Sequence, residues 1–260
     1  MPIVTLITDF GTADGYVGEV KGAILSAAPG ATLVDVAHDV TPGDVEAAAW
    51  VLSRVWNRYP EGTVHLVVVD PGVGGARRAM LLQSGGRWFV GPDNGVVSRA
   101  LGEGMPDTAW ALDPDRCASD TLSSTFHGRD LFAPAAARVA AGESPAALGD
   151  PIEFESISRL ELSEPHRSRE CVRGQVAHVD RFGNLVTDIP ASWVSPTALI
   201  ELGGTEISGV RLSYTSVDPG QLVAVIGSAG TLEISVREGS ASERLSVGRG
   251  EPVLVRPERD

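Results

Sequence analysis

The sequence predicts an α/β N-terminal domain followed by a smaller all-β, barrel-like C-terminal domain, and three observations carry that prediction. The first half alternates apolar runs of strand length with segments of helical spacing, in the order β-α-β-α-β. That order implies parallel strands with helical crossovers, so the first sheet is expected to be mostly parallel. Beyond about residue 170 the helical spacing gives way to short strand-like runs between glycine turns, the pattern of small sandwiches and barrels. Between them, over 145–169, periodicity fades while charge, serine and proline accumulate, which marks a linker. The expected domains are therefore 1–160 and 170–260.

Each element has its own justification. Val4 to Thr8 is an apolar strand. Val17, Val20, Ile24 and Ala28 then recur at helical spacing until Pro29-Gly30 ends the segment. Thr32 to Ala37 is a second strand, and Thr41-Pro42-Gly43-Asp44 reads as a helix start with Thr41 as N-cap, Pro42 at the first helical position and Asp44 at the third. Val45, Ala48, Ala49, Leu52 and Val55 supply that helix's buried face, and the strand from Val64 to Val69 follows. Gly85-Gly86 between Ala79 to Gln83 and Trp88 to Val90 is a hairpin signal that puts antiparallel strands beside the parallel sheet. A turn at Gly91-Pro92-Asp93-Asn94-Gly95 leads into a short helix through Val97 and Leu101, and Leu131 to Ala141 is an alanine-rich helix. In the second half Gly174 to Val179, Leu185 to Ile189, Ala198 to Leu202, Leu222 to Ile226, Leu232 to Val236 and Pro252 to Val255 are the strand candidates.

Composition narrows the function. A formal charge of -13 argues against nucleic acid or an anionic membrane as partner, since both need a basic face. Two cysteines, Cys117 and Cys171, are too few for a disulfide framework or a cysteine metal cluster. No basic-then-apolar leader is visible and no apolar run approaches the ~18 residues of a membrane span, so a cytoplasmic enzyme is the expectation.

The most informative stretch runs from His65 to Arg77. A buried strand ends in Asp70, turns through Pro71, Gly72, Gly74 and Gly75, and delivers Arg77. Ligands of open α/β sheets collect at the carboxyl ends of strands. The first strand repeats the design by running into Asp9-Phe10-Gly11-Thr12. Asp-Pro-Gly is also ordinary turn chemistry, so the residues alone leave Asp70 as either a turn residue or a reactive one. The Gly-Lys-Ser/Thr ending of a phosphate-binding loop is absent. Thr125-Phe126-His127-Gly128-Arg129-Asp130 forms a third polar site, where His127 is either structural or catalytic. His38, His65, His166 and His178 lack metal-ligand spacing, and no metal is expected around Asp9, Asp70 or His127.

Six ordered blocks resemble the S-adenosyl-L-methionine (SAM) hydrolase family, which shares its fold with fluorinating and chlorinating enzymes that attack the same substrate. The blocks are Ile7-Thr8-Asp9-Phe10-Gly11, Val36 to Asp44, Asp70-Pro71-Gly72-Val73-Gly74 with Arg77, Gly91-Pro92-Asp93-Asn94-Gly95, Phe126-His127-Gly128-Arg129-Asp130, and Asp180-Arg181-Phe182-Gly183-Asn184. The resemblance implies a homotrimer with sites between subunits, a small-molecule substrate and no cofactor besides that substrate. It implies a hydrolytic trio of Asp70, Arg77 and His127, with adjacent Arg78 as the alternative arginine. It assigns Asp9 to the ribose hydroxyls, Asp14 and Asp180 to the methionine ammonium, Phe182 and Tyr214 to the two faces of adenine, Asn184 to the adenine edge and Ser228 to the carboxylate. Ala229 stands where the fluorinating enzyme has a carboxylate-binding arginine, and Asp70 to Gly74 replaces a Tyr-Pro-Ala-Thr-Gly-Thr-like segment. The implied reaction is attack of water at ribose C5′, giving adenosine and L-methionine. A halogenating enzyme and a non-catalytic adenosine or SAM sensor are the competing readings.

Overall fold

In the computed structural model, which describes residues 1–118 and 122–257, the chain divides into two units, Met1–Leu160 and Glu161–Asp260. The first is built on a seven-stranded sheet of β1 (Ile3–Thr8), β2 (Thr32–Ala37), β3 (Val64–Val68), β4 (Ala79–Ser84), β5 (Arg87–Pro92), β6 (Thr108–Leu112) and β7 (Gly149–Pro151). Their order is β2-β1-β3-β5-β4-β6-β7. The pairings β2-β1, β1-β3 and β3-β5 are parallel, whereas β5-β4, β4-β6 and β6-β7 are antiparallel. The sheet is thus mixed rather than mostly parallel. Its antiparallel half starts at the Gly85-Gly86 hairpin, where φ values of 55° and 73° give the left-handed pair that a tight two-residue hairpin turn requires. Within the stretch expected to be a linker, β7 adds an edge strand to this sheet.

Period-2 alternation divides the strands between two core layers. Val4 and Leu6 of β1 and Val64, Leu66 and Val68 of β3 pack with Val20 and Ile24 of helix α1 (Tyr16–Ala27). Ile7 and Val67 face the other way, onto Ala48, Ala49 and Leu52 of α2 (Val45–Val55). Asp44, not Thr41, caps α2: its carboxylate accepts from the Ala47 amide at 2.9 Å, three residues on, and Thr41 and Pro42 lie in the preceding turn. Short helices α3 (Ser98–Leu101) and α4 (Pro114–Cys117) follow. The expected alanine-rich helix is α5 (Ala133–Ala140), preceded by a wide π turn over Gly128–Phe132. Ala133 N–H closes that turn on the Gly128 carbonyl, five residues back.

The second unit carries β8 (His166–Arg167), β9 (Val172–Val179), β10 (Leu185–Pro190), β11 (Leu199–Leu202), β12 (Thr205–Ser208), β13 (Val210–Arg211), β14 (Leu222–Ile226), β15 (Thr231–Val236) and β16 (Pro252–Arg256), with one short helix, α6 (Ala241–Leu245). They form one sheet in the order β12-β11-β16-β9-β10-β15-β14-β13, with β8 beside β9. β12 returns against β14, so the sheet nearly closes on itself around Val176, Leu185, Ile189, Ile200 and Ile234. Among the described residues no helix is long and apolar enough to cross a membrane.

Candidate active site

β1 and β3 run parallel with Thr8 opposite Val68, so Asp9 and Asp70 leave neighbouring strands at the same carboxyl end. After Asp70 the chain makes two tight turns, Val73 N–H to the Asp70 carbonyl at 3.2 Å and Gly75 N–H to the Gly72 carbonyl at 3.0 Å. Gly74, at φ 73°, lies where a Cβ would stand 2.3 Å from the Ser124 carbonyl. This close approach brings the Asp70 loop against the segment that leads to His127. Gly128 serves the same end, since a Cβ there would press on Val68 and Phe10 at 3.2 and 3.3 Å.

The turns return Arg77 to Asp70. Arg77 Nε lies 3.0 Å from both carboxylate oxygens, its Nη2 also donates to Oδ2, and the same Nη2 lies 2.9 Å from His127 Nδ1. The ion pair is largely shielded, with the Arg77 side chain 12% and that of Asp70 5% exposed. A guanidinium has only donors. His127 Nδ1 is therefore an acceptor, and the single ring proton sits on Nε2, the edge left for a ligand. Burial and the Arg77 charge hold the His127 pKa below its ordinary 6.5, against the pull of Asp70 and Asp130. The Phe132 ring backs the guanidinium at 5.2 Å.

Arg78 turns the other way. Its Nε and Nη2 hold Asp93 at 2.9 and 2.6 Å, and Nη1 reaches Ser156 Oγ at 3.0 Å. The geometry therefore separates two arginines that adjacency left equivalent. Asp93 also accepts from Ser158 N–H at 2.8 Å, while Asn94 Nδ2 donates to the Val69 carbonyl at 3.0 Å and so pins the strand end before Asp70. Asp130 accepts from Arg129 at 2.6 Å and from Ser123 N–H at 2.9 Å. The bonds from Arg129, foremost, hold its pKa below the usual carboxylate value.

Asp9 accepts from the Gly43 amide at 2.8 Å, and Gly43 in turn backs onto Pro71. Asp14 is exposed on the turn that enters α1. Phe10, Tyr16 and Phe126 form an edge-to-face aromatic group beside these residues, at 5.4 to 6.3 Å between ring centres.

In the second unit a cavity of about 840 Å³ is lined by Asp180, Phe182, Asn184, Tyr214 and Ser228, together with Glu233. Asp180 Oδ1 accepts from the Phe182 and Asn184 amides, and Oδ2 from Asn184 Nδ2, all at 2.9 Å. Both oxygens thus serve the turn that presents Phe182, whose ring is 75% exposed. Gly183, at φ 78°, completes the turn where a Cβ would collide with Ser240. The Tyr214 hydroxyl donates to Glu233 at 2.7 Å, and this bond pushes the phenol pKa up to about 12. Glu233 is a residue that sequence reasoning missed. Among the described residues no cluster of three or more His, Cys, Asp or Glu is placed to hold a metal.

Comparison with known proteins decides the family. The SAM hydroxide adenosyltransferase N-terminal domain model matches residues 4–149, and the C-terminal domain model matches residues 174–254. The chain belongs to the SAM hydroxide adenosyltransferase family. Within it, a Thermus thermophilus protein named (R)-S-adenosyl-L-methionine hydrolase is 42% identical over 97% of this chain and 98% of its own. A fluorinase of an Actinoplanes species is more distant, at 28% identity over 90% of each chain. The crystal structure of an uncharacterized conserved protein from Thermotoga maritima superposes with a TM-score of 0.91 at 35% identity, covering 98% of this chain and 100% of that one.

Proposed function

We propose that this chain hydrolyses S-adenosyl-L-methionine, water attacking ribose C5′ to give adenosine and L-methionine. The observation that carries the reading is Arg77 bridging Asp70 and His127 in one shielded group. The family membership and the hydrolase name of the Thermus thermophilus relative support it.

The leaving group needs little help, because a sulfonium departs as a neutral thioether once the C5′–S electron pair returns to sulfur. The nucleophile is the difficulty, since free water has a pKa of about 15.7. In the proposed scheme Asp70 orients the water and accepts its proton, and Arg77 fixes Asp70 through both carboxylate oxygens. His127 offers its Nε2–H to the water oxygen, because Arg77 occupies Nδ1. His127 is thus a donor and not the base. Asp9 holds the ribose diol, which suits a carboxylate accepting two hydroxyl bonds. Phe182 and Tyr214 enclose adenine, Asn184 reads its edge, and Asp14, Asp180 and Ser228 meet the methionine part. Stacking of this kind is worth ~1–3 kcal/mol per base.

An anionic Asp70 at the nucleophile position repels halide, which favours water over halogenation. A sensor would need the cavity but not the trio. We further propose a homotrimer and a reaction independent of metal, the latter because the leaving group needs no Lewis acid. Incubation with SAM in ¹⁸O-labelled water, with chromatography and mass analysis of products, tests the reaction. Label on the adenosine 5′-hydroxyl and none on methionine is expected. No adenosine would leave the sensor reading, and 5′-chloro-5′-deoxyadenosine in added chloride the halogenating one.

A further inference from the structure

In the second-unit cavity the Tyr214 ring is tied through its hydroxyl to a buried carboxylate, Glu233. Phe182 stands 75% exposed on its turn. Tyr214 is also partly exposed, at 44%, on a short turn of Tyr214–Ser216, but its hydroxyl donates to Glu233 Oε1 at 2.7 Å. Glu233 is only 6% exposed and lies on β15 opposite Val225 of β14. Ser235 adds a second hydroxyl to the same oxygen at 3.1 Å. The other oxygen approaches Gly227, where a Cβ would come within 2.4 Å of it. Gly227 begins the β14–β15 turn that carries Ser228 into the cavity.

Burying a carboxylate costs desolvation unless its hydrogen bonds are made, and an apolar side chain at this position on β15 would have cost less. Its contacts are those of an organiser, holding the Tyr214 ring and lying against the turn of Ser228. A ring already held in place loses less freedom when a ligand stacks on it.

We propose that Glu233 is a positioning residue for substrate binding, gripping the Tyr214 hydroxyl so that the ring stands ready for the base. The inference rests on the reading of this cavity as the adenine site. Glu233 accepts from Tyr214 and Ser235 and is no member of the Asp70, Arg77 and His127 group, so its effect is expected on binding rather than on chemistry.

The test measures adenosine affinity by calorimetry, with KM and kcat for SAM, on Glu233→Ala, Glu233→Gln, Tyr214→Phe, Tyr214→Ala and the Glu233→Ala/Tyr214→Phe double variant. Loss of a charge-assisted hydrogen bond sets the scale, on the order of tenfold in Kd and KM for Glu233→Ala with kcat within about threefold. Glu233→Gln keeps an acceptor for the hydroxyl and should recover most of the affinity. Because Glu233 acts through that hydroxyl, the double variant should be no weaker than the weaker single one. Additive losses, a kcat effect larger than the KM effect, or wild-type affinity in Glu233→Ala while Tyr214→Ala is weakened would overturn the positioning role. Unchanged adenosine affinity in Tyr214→Ala would overturn the adenine reading of the cavity and this inference with it. Should Glu233→Ala not fold, Glu233→Gln against Tyr214→Phe decides: the former near wild type and the latter weakened supports the role, equal affinities reject it.

Discussion

Arg77→Lys is the sharpest perturbation of the trio, because it keeps the charge and removes the fork. Arg77 now reaches both oxygens of Asp70 and, with the same Nη2, His127 Nδ1. A lysine ammonium is a point donor. It can replace one bond to Asp70 but not the second, nor the contact that fixes the His127 tautomer. Two charge-assisted bonds are at stake at about 1.5–3 kcal/mol each, offset in part by the retained charge. A loss of about 3–4 kcal/mol in transition-state stabilisation follows, or a fall of roughly 10²–10³-fold in kcat/KM. Arg77→Met is less informative, because it strands a shielded carboxylate and costs about 3–5 kcal/mol of fold stability. The assay is adenosine release from SAM by chromatography at saturating and limiting substrate, with urea denaturation as a check on folding. Adenosine affinity should stay within about twofold of wild type, no nucleoside contact being touched. An Arg77→Lys enzyme within about threefold of wild type, or a larger fall in Arg78→Lys, would refute the assignment.

Three further outcomes are expected. Because the His127 pKa is depressed, the neutral ring with its Nδ1 acceptor persists as pH falls below 6.5, so the acid limb of kcat/KM should lie below that value; a limb above it, or His127→Ala costing less than about tenfold where a misplaced nucleophile costs on the order of 10²-fold, returns the residue to a structural role. Asp9→Ala should weaken adenosine binding by about tenfold with kcat largely kept, while Asp70→Asn should do the reverse, and calorimetry beside steady-state kinetics tells them apart. His65, fully buried with Nδ1 at 2.7 Å from Thr5 Oγ1, has its pKa pushed down to about 4 by burial. Above pH 6.5 it is neutral in both states and contributes no pH dependence. Between 6.5 and about 4 the unfolded chain binds a proton that the folded chain refuses, so acidification across that window should remove roughly 3 kcal/mol of stability. Urea denaturation of wild type and His65→Phe at pH 7.5, 5.5 and 4 reads the difference, and parallel pH slopes would count against it.

What was legible in the sequence is what is local. Apolar runs ending in Asp9 and Asp70, and the spacing of Val17, Val20 and Ile24, describe elements whose periodicity is written within a dozen residues. Which side of β5 receives β4 is a tertiary choice, and the hairpin signal does not encode it. Thr41 and Asp44 both have capping chemistry, and the structure places Asp44 where its carboxylate meets the third amide of the helix. Arg77 and Arg78 are adjacent in the sequence, so only their partners, Asp70 and Asp93, distinguish them. Glu233 was invisible for a related reason. The run Leu232 to Val236 reads from sequence as a strand and nothing more, and it takes Tyr214, from 19 residues away, to make Glu233 part of a cavity.

The wide turn over Gly128–Phe132 has the character of a phase shifter. An α-helix advances about 100° per residue, and a π turn holds one residue more than its neighbours allow. α5 is locked in rotation by Ala133, Ala135, Ala136, Ala137 and Val139, all buried. Whatever precedes the turn is therefore swung round by about one residue's worth of rotation relative to that lock. His127 sits immediately before it and meets the guanidinium of Arg77. A chain one residue shorter here would keep the same buried helix and the same histidine, yet would aim the imidazole about 100° away from its partner. The extra residue acts as a gear between packing and chemistry, letting the core choose one face of the helix while the site chooses another.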